Sequence, residues 1–186
     1  LFGSAYWGQL DSMHAFFALC AVAAMGADRM GLSGAWLAAA GLSKPLAAPL
    51  VPLLALGALL RRGASGFFAA GVSGLAVAIL VFAPFWLTGR LLPVLERVVG
   101  DVEAMSYTSV NAHNFWWWMG AWQDAGQPWI GPFTARDIGI GVFLLLYLAI
   151  LLRIRGWLRH AAGADYRAGL FVVSAGVMAS FFFFST

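Results

Sequence analysis

The sequence predicts an all-α protein, a polytopic bundle of about six membrane-crossing helices with a large external loop that carries an interfacial helix. Apolar residues make up 62% of the 186, charged residues only 10%, and mean hydropathy is +0.83; water-soluble domains of this length do not normally show that balance. Several charge-poor windows have the roughly 15 to 22 residues that a helix needs to cross a hydrocarbon core of about 30 Å. Phe67 to Leu87 and Ile138 to Leu152 are apolar on every face, whereas a barrel strand would alternate apolar and polar residues.

The first span runs from about Ser12 to Ala27, with Asp11 or Ser12 as its N-cap, and ends at Asp28-Arg29. A second apolar piece covers Gly31 to Leu42 before Ser43-Lys44-Pro45 interrupts it. Pro45 suits the first turn of a new helix that continues to Leu60, because a proline there loses no helical N–H. These two pieces fall short of the about 40 residues that two full crossings need, so they form either a V that stops below the outer surface or one kinked helix.

The next span, Gly66 to Leu87, carries Gly66, Ala70, Gly74 and Ala78 at four-residue spacing, a stripe on which another helix can pack closely. From Thr88 to Pro132 the chain is mixed, with an amphipathic piece, Leu91 to Met105, and a tryptophan-rich stretch to Trp129. It reads as an external loop with an interfacial helix. Thr134-Ala135-Arg136-Asp137 has the form of a capping box and opens a span to about Arg153. Arg153, Arg155, Arg159 and His160 then form a basic loop, and a last span runs from about Arg167 to Thr186.

With six crossings, alternation puts Arg29, Arg61, Arg62, Arg153, Arg155, Arg159 and Arg167 on one side, and Lys44, Arg90, Arg97 and Arg136 on the other. The positive-inside bias makes the arginine-rich side cytoplasmic in a bacterial-type plasma membrane. The net charge of +3 is small, and no basic tract points to nucleic acid. Cys20, the only cysteine, lies in an apolar span and reads as packing. The chain opens at Leu1 without a Met and stops in an apolar run, so it reads as a single transmembrane domain fragment of a longer protein.

Two polar clusters lie beside spans on the outward side, Trp7-Gly8-Gln9-Leu10-Asp11-Ser12 and Ser109-Val110-Asn111-Ala112-His113-Asn114-Phe115-Trp116. A carboxylate such as that of Asp11 is costly at a membrane boundary unless it caps a helix, pairs with a cation or binds a polar ligand. Lys44 is the only lysine, and an ammonium beside a helix N-terminus suits a phosphate; snorkelling to the interface is the plain alternative. Asn111, His113 and Asn114 offer the donors and acceptors that read sugar hydroxyls, and one of Trp116, Trp117 and Trp118 could stack on a sugar ring. Tryptophans also form the aromatic belt of any membrane protein. His113 suits proton transfer by its ordinary pKa of about 6.5, but one histidine between asparagines is not a metal-ligand set. No phosphate loop, dinucleotide fingerprint, serine-protease motif or zinc motif is present, and no cofactor is expected.

These two clusters and Leu42-Ser43-Lys44-Pro45, in this order and spacing, resemble the multi-spanning glycosyltransferases of superfamily C, especially their bacterial and archaeal mannosyltransferase-like branch. The resemblance covers nearly the whole chain. It implies transfer of a sugar, with inversion, from a polyprenyl-phosphate donor to a glycan, lipid or protein acceptor on the outer face of the membrane. It also implies a catalytic carboxylate upstream of the Trp7-Gly8-Gln9 motif and a His-Glu-Arg-Tyr motif beyond Thr186, leaving Asp11 as a binding or orienting residue. Donor phosphate would lie on Lys44, and the sugar and acceptor on Trp7, Gln9, Asp11, Ser12, Asn111, His113, Asn114 and Trp116. His113 departs from the family pattern, which has a bulky or aromatic residue there. A transporter or lipid flippase is the rival reading, and a noncatalytic assembly subunit a third.

Overall fold

The computed structural model describes residues 11–103, 115–120 and 123–180. Among them the protein is all-α, with helices α1 (Asp11–Gly26), α2 (Met30–Ser43), α3 (Leu50–Leu87), α4 (Leu91–Glu103), α5 (Phe115–Gly120), α6 (Ala135–His160) and α7 (Gly163–Ser180). A 3-10 turn, Pro45–Ala47, precedes α3, and β1 (Pro128–Ile130) pairs with β2 (Phe133–Thr134) in a small antiparallel hairpin. Two helices, α3 and α6, are long and apolar enough to cross a membrane. The described residues fall into two compact units, one within Leu1–Pro84 and Leu151–Val177, the other within Phe85–Ile150 and Met178–Thr186.

In the first unit α1 and α2 form an antiparallel hairpin whose register is held by two buried side chains. His14 Nδ1 donates to the Ala40 carbonyl at 3.2 Å, and Ser33 Oγ donates to the Ala21 carbonyl at 2.8 Å. The step from His14 to Ala21 equals the step from Ser33 to Ala40, so both bonds belong to one register, about two helical turns apart. Phe17 stacks on Trp36 at 5.6 Å between ring centroids, and Phe16 meets the same ring edge-on. α1 closes with the paired bonds of a Schellman motif: the Arg29 N–H donates to the Ala24 carbonyl and the Asp28 N–H to the Met25 carbonyl, both at 2.9 Å. Asp28 holds the left-handed position, φ 62°, that glycine usually fills.

Pro45 starts a turn, as the sequence predicts, but not the continuous helix expected up to Leu60. Pro49 has no N–H to offer the Pro45 carbonyl, so the Ala48 N–H takes that carbonyl at 2.9 Å and tightens the chain into a 3-10 turn; the α-helix begins at Leu50. α3 is then broken at Gly63, whose φ 64°, ψ −156° is open essentially to glycine alone. Its first arm carries Arg61 to Asp28, and its second arm, 64–87, leads back along α2. A Cβ added at Gly34 would land on the Ala70 carbonyl, and one at Gly74 would lie 3.2 Å from the Gly34 carbonyl oxygen. The small-residue stripe thus packs against glycines of α2.

The basic loop expected from Arg153 to His160 is helical. α6 continues to His160, and only residues 161 and 162 separate it from α7. Arginine and leucine are good helix formers, and Arg159 and His160 meet the negative end of the helix dipole in its last turn.

In the second unit the capping box forms as its spacing predicts. Thr134 N–H and Oγ1–H both donate to Asp137 Oδ2, at 3.0 and 2.7 Å, and the Asp137 N–H donates to Thr134 Oγ1 at 3.1 Å. Helix α4 occupies the amphipathic stretch read as interfacial.

Candidate functional site

Lys44 is set by the end of α2. Its backbone N–H donates to the Ala40 carbonyl at 3.0 Å, its extended backbone (φ −161°, ψ 131°) leaves the helix, and Pro45 starts the next turn. Its side chain is half-buried. Ser43 Oγ closes the same turn by donating to the Ala39 carbonyl at 2.7 Å. The three-residue turn after Lys44 carries no helix dipole of consequence, so the expected helix N-terminus beside this lysine is not there.

The hairpin register brings the start of α1 to Lys44. Because His14 bonds to Ala40, the first turn of α1, with exposed Ser12, lies at the same end of the hairpin as Lys44. Asp11 is the first residue of α1. Trp7 and Gln9 lie outside the described residues, as do Asn111, His113 and Asn114 and the side chain of Asp11.

Trp116 is described and is 2% exposed. Its ring meets Phe115 edge-on at 5.3 Å and Trp129 at 5.0 Å, so it packs within the second unit. Trp118 of the same run is 77% exposed.

At the opposite end of the hairpin the first unit gathers charge. Asp28 accepts from Arg61 Nε through Oδ1 at 3.0 Å and from an Arg62 terminal nitrogen through Oδ2 at 2.9 Å. Arg61 also donates to the Ala161 carbonyl at 2.8 Å, and its guanidinium lies 3.8 Å from the Tyr166 ring centroid. One side chain therefore ties the α1–α2 turn, the break in α3 and the α6–α7 turn together. Burial pushes the Tyr166 phenol up to about 12, with Arg61 opposing the rise and Asp28 adding to it. The Tyr166 hydroxyl has no hydrogen-bond partner among the described residues. Sequence reasoning took Asp28 as a helix end only; neither this cluster nor His14 was recognised. An imidazole three residues into an apolar span was a usable signal.

Between α2 and both arms of α3 lies an apolar groove of about 500 Å³, lined by residues that include Leu37, Leu42, Leu54, Phe67 and Leu75. Its one hydroxyl, that of Ser33, is already bonded to Ala21. No group of three or more metal-ligating side chains occurs among the described residues.

No protein-family model, curated protein or solved structure matches this chain. The functional reading therefore rests on its motifs and on the geometry above.

Proposed function

We propose that the chain is the membrane-embedded part of a glycosyltransferase that takes a hexose such as mannose from a polyprenyl-phosphate donor. The observation that carries the reading is the hairpin register: it brings the first turn of α1 and Lys44 to one end, with the guanidiniums of Arg61 and Arg62 at the other. A membrane placement is supported by the long helices. Only 6% and 11% of the most apolar stretches of α3 and α6 are buried within the protein. Leu80, Leu87 and Leu145 stay more than two-thirds exposed, and such surface needs an apolar medium around it.

In this reading the Lys44 end faces outward and the arginine end faces the cytoplasm. An acceptor hydroxyl attacks the anomeric carbon while the carbon–oxygen bond to phosphate breaks with its electron pair on the phosphate. Lys44 stabilises that growing charge, and the hydroxyl proton passes to a carboxylate base. Gln9, Asp11, Asn111 and Asn114 orient sugar and acceptor.

The test is sugar transfer by the protein in proteoliposomes from radiolabelled polyprenyl-phosphate mannose to a lipid or glycan acceptor. Lys44→Ala should lose most transfer while keeping its helical content, and Lys44→Arg should keep part of it. Equal transfer by Lys44→Ala would end the phosphate role. Passage of donor across the bilayer without transfer would favour the transporter or flippase reading.

A further inference from the structure

The formal charge of this chain is divided unevenly. The first unit holds seven arginines and Lys44 against Asp11, Asp28 and Asp165, or +5; the second holds three arginines against five acids, or −2. Asp28 does not neutralise the surface, because both its oxygens are taken by Arg61 and Arg62, and Arg61 is turned inward with its side chain 16% exposed. Arg29, Arg153, Arg155, Arg159 and Arg167 are exposed and make no ion pair among the described residues.

Apolar surface starts where these guanidiniums stop. Phe67 and Phe68 follow Arg62 closely and are 43% and 64% exposed; Leu152 directly precedes Arg153; Phe171 and Val172 lie about one turn beyond Arg167. A ligand for this region carries an anionic head and apolar chains. Neither a soluble anion nor a nucleic acid backbone gains anything from the apolar flank.

We infer that this arginine end binds the headgroups of anionic phospholipids, with their acyl chains against the exposed apolar residues beside it. The chemistry suits the residue type. Every cation here is arginine, whose planar fork meets two phosphate oxygens at once, whereas the one lysine of the chain lies at the other end. The Asp28–Arg61–Tyr166 cluster keeps the three turns together, so that Arg29 of the α1–α2 turn and the arginines of α6 and α7 act as one surface. The inference is independent of sugar transfer.

The experiment is lipid retention by the full chain. Protein is reconstituted in vesicles of phosphatidylcholine with a fifth of phosphatidylglycerol, extracted in mild detergent, and its bound lipids are counted by native mass spectrometry. The ratio of retained phosphatidylglycerol to phosphatidylcholine should exceed the ratio in the vesicle, by about fivefold for each arginine that engages a headgroup. The variant R153Q/R155Q/R159Q/R167Q should lose most of that enrichment, and R90Q/R136Q, which removes two exposed cations of the second unit, should keep it. Should the fourfold variant fail to fold, about 1 M salt added to the unaltered protein reads the same contribution, because it shortens screening to about 3 Å and should erase the enrichment. Retention of the two lipids in vesicle proportion, equal loss in R90Q/R136Q, or enrichment indifferent to salt would overturn the inference.

Discussion

His14 and Lys44 share one acceptor: the Ala40 carbonyl receives the His14 Nδ1–H at 3.2 Å and the Lys44 backbone N–H at 3.0 Å. A carbonyl only accepts, so the imidazole carries a proton on Nδ1. The place where Lys44 leaves α2 is thereby tied to α1. Replacing His14 by Ala should cost about 1 kcal/mol, the scale of an interhelical hydrogen bond in an apolar setting, and lower the thermal midpoint of the purified protein in detergent. An unchanged midpoint would mean that this bond contributes nothing to the hairpin.

Asp28 accepts the strain of a left-handed residue and in return pairs with Arg61 and Arg62. Asp28→Asn keeps a side chain that tolerates this backbone but removes the charge, and should destabilise by about 1–3 kcal/mol through the guanidiniums left behind. Asp28→Gly relieves the backbone and should not recover the loss. Chemical denaturation of the three proteins separates the two effects, and a glycine variant as stable as the parent would show that the ion pairs contribute little.

Tyr166 predicts a pH dependence. Below about pH 10 the phenol is protonated in folded and unfolded chains alike, and its contribution is fully present. Above that the unfolded chain ionises while the folded phenol keeps its proton up to about 12, so stability falls across that window. Tyr166→Phe should remove this part of the slope. It should also cost little at neutral pH, since the hydroxyl it deletes has no partner among the described residues. A denaturation series through this range in both proteins is the check.

Gly34 and Gly71 both border the apolar groove but differ in the room around them. A Cβ at Gly34 meets the Ala70 carbonyl, whereas one at Gly71 meets nothing within 4 Å. Gly34→Ala should therefore cost about 1–3 kcal/mol by forcing α2 from the second arm of α3. Gly71→Ala should be neutral or stabilising by up to about 1 kcal/mol from helix propensity. Equal midpoints for the two variants would contradict the close packing.

Local chemistry was legible in the sequence. Thr134 and Asp137 are three residues apart, and their capping box forms three hydrogen bonds as such spacing dictates. Gly66, Ala70, Gly74 and Ala78 announced a packing stripe by period alone, although the glycines of α2 facing it did not follow from that period. The pairing of Asp28 with Arg61 was not legible, because contacts between distant segments depend on how helices are brought together. The basic stretch of α6 was misread because charge was taken as a mark of loop, while arginine is a good helix former. The burial of Trp116 was not legible because it depends on Trp129, which no local pattern ties to it.

The account turns on the two ends of the α1–α2 hairpin lying on opposite faces of a bilayer. The direct measurement is cysteine labelling in intact cells with a membrane-impermeant maleimide, in a Cys20→Ala background, with single cysteines at Ser12→Cys or Ala162→Cys, both at exposed positions. Ser12→Cys should react from outside, and Ala162→Cys only after the membrane is opened. Labelling of both positions in intact cells, or of neither, would contradict the account.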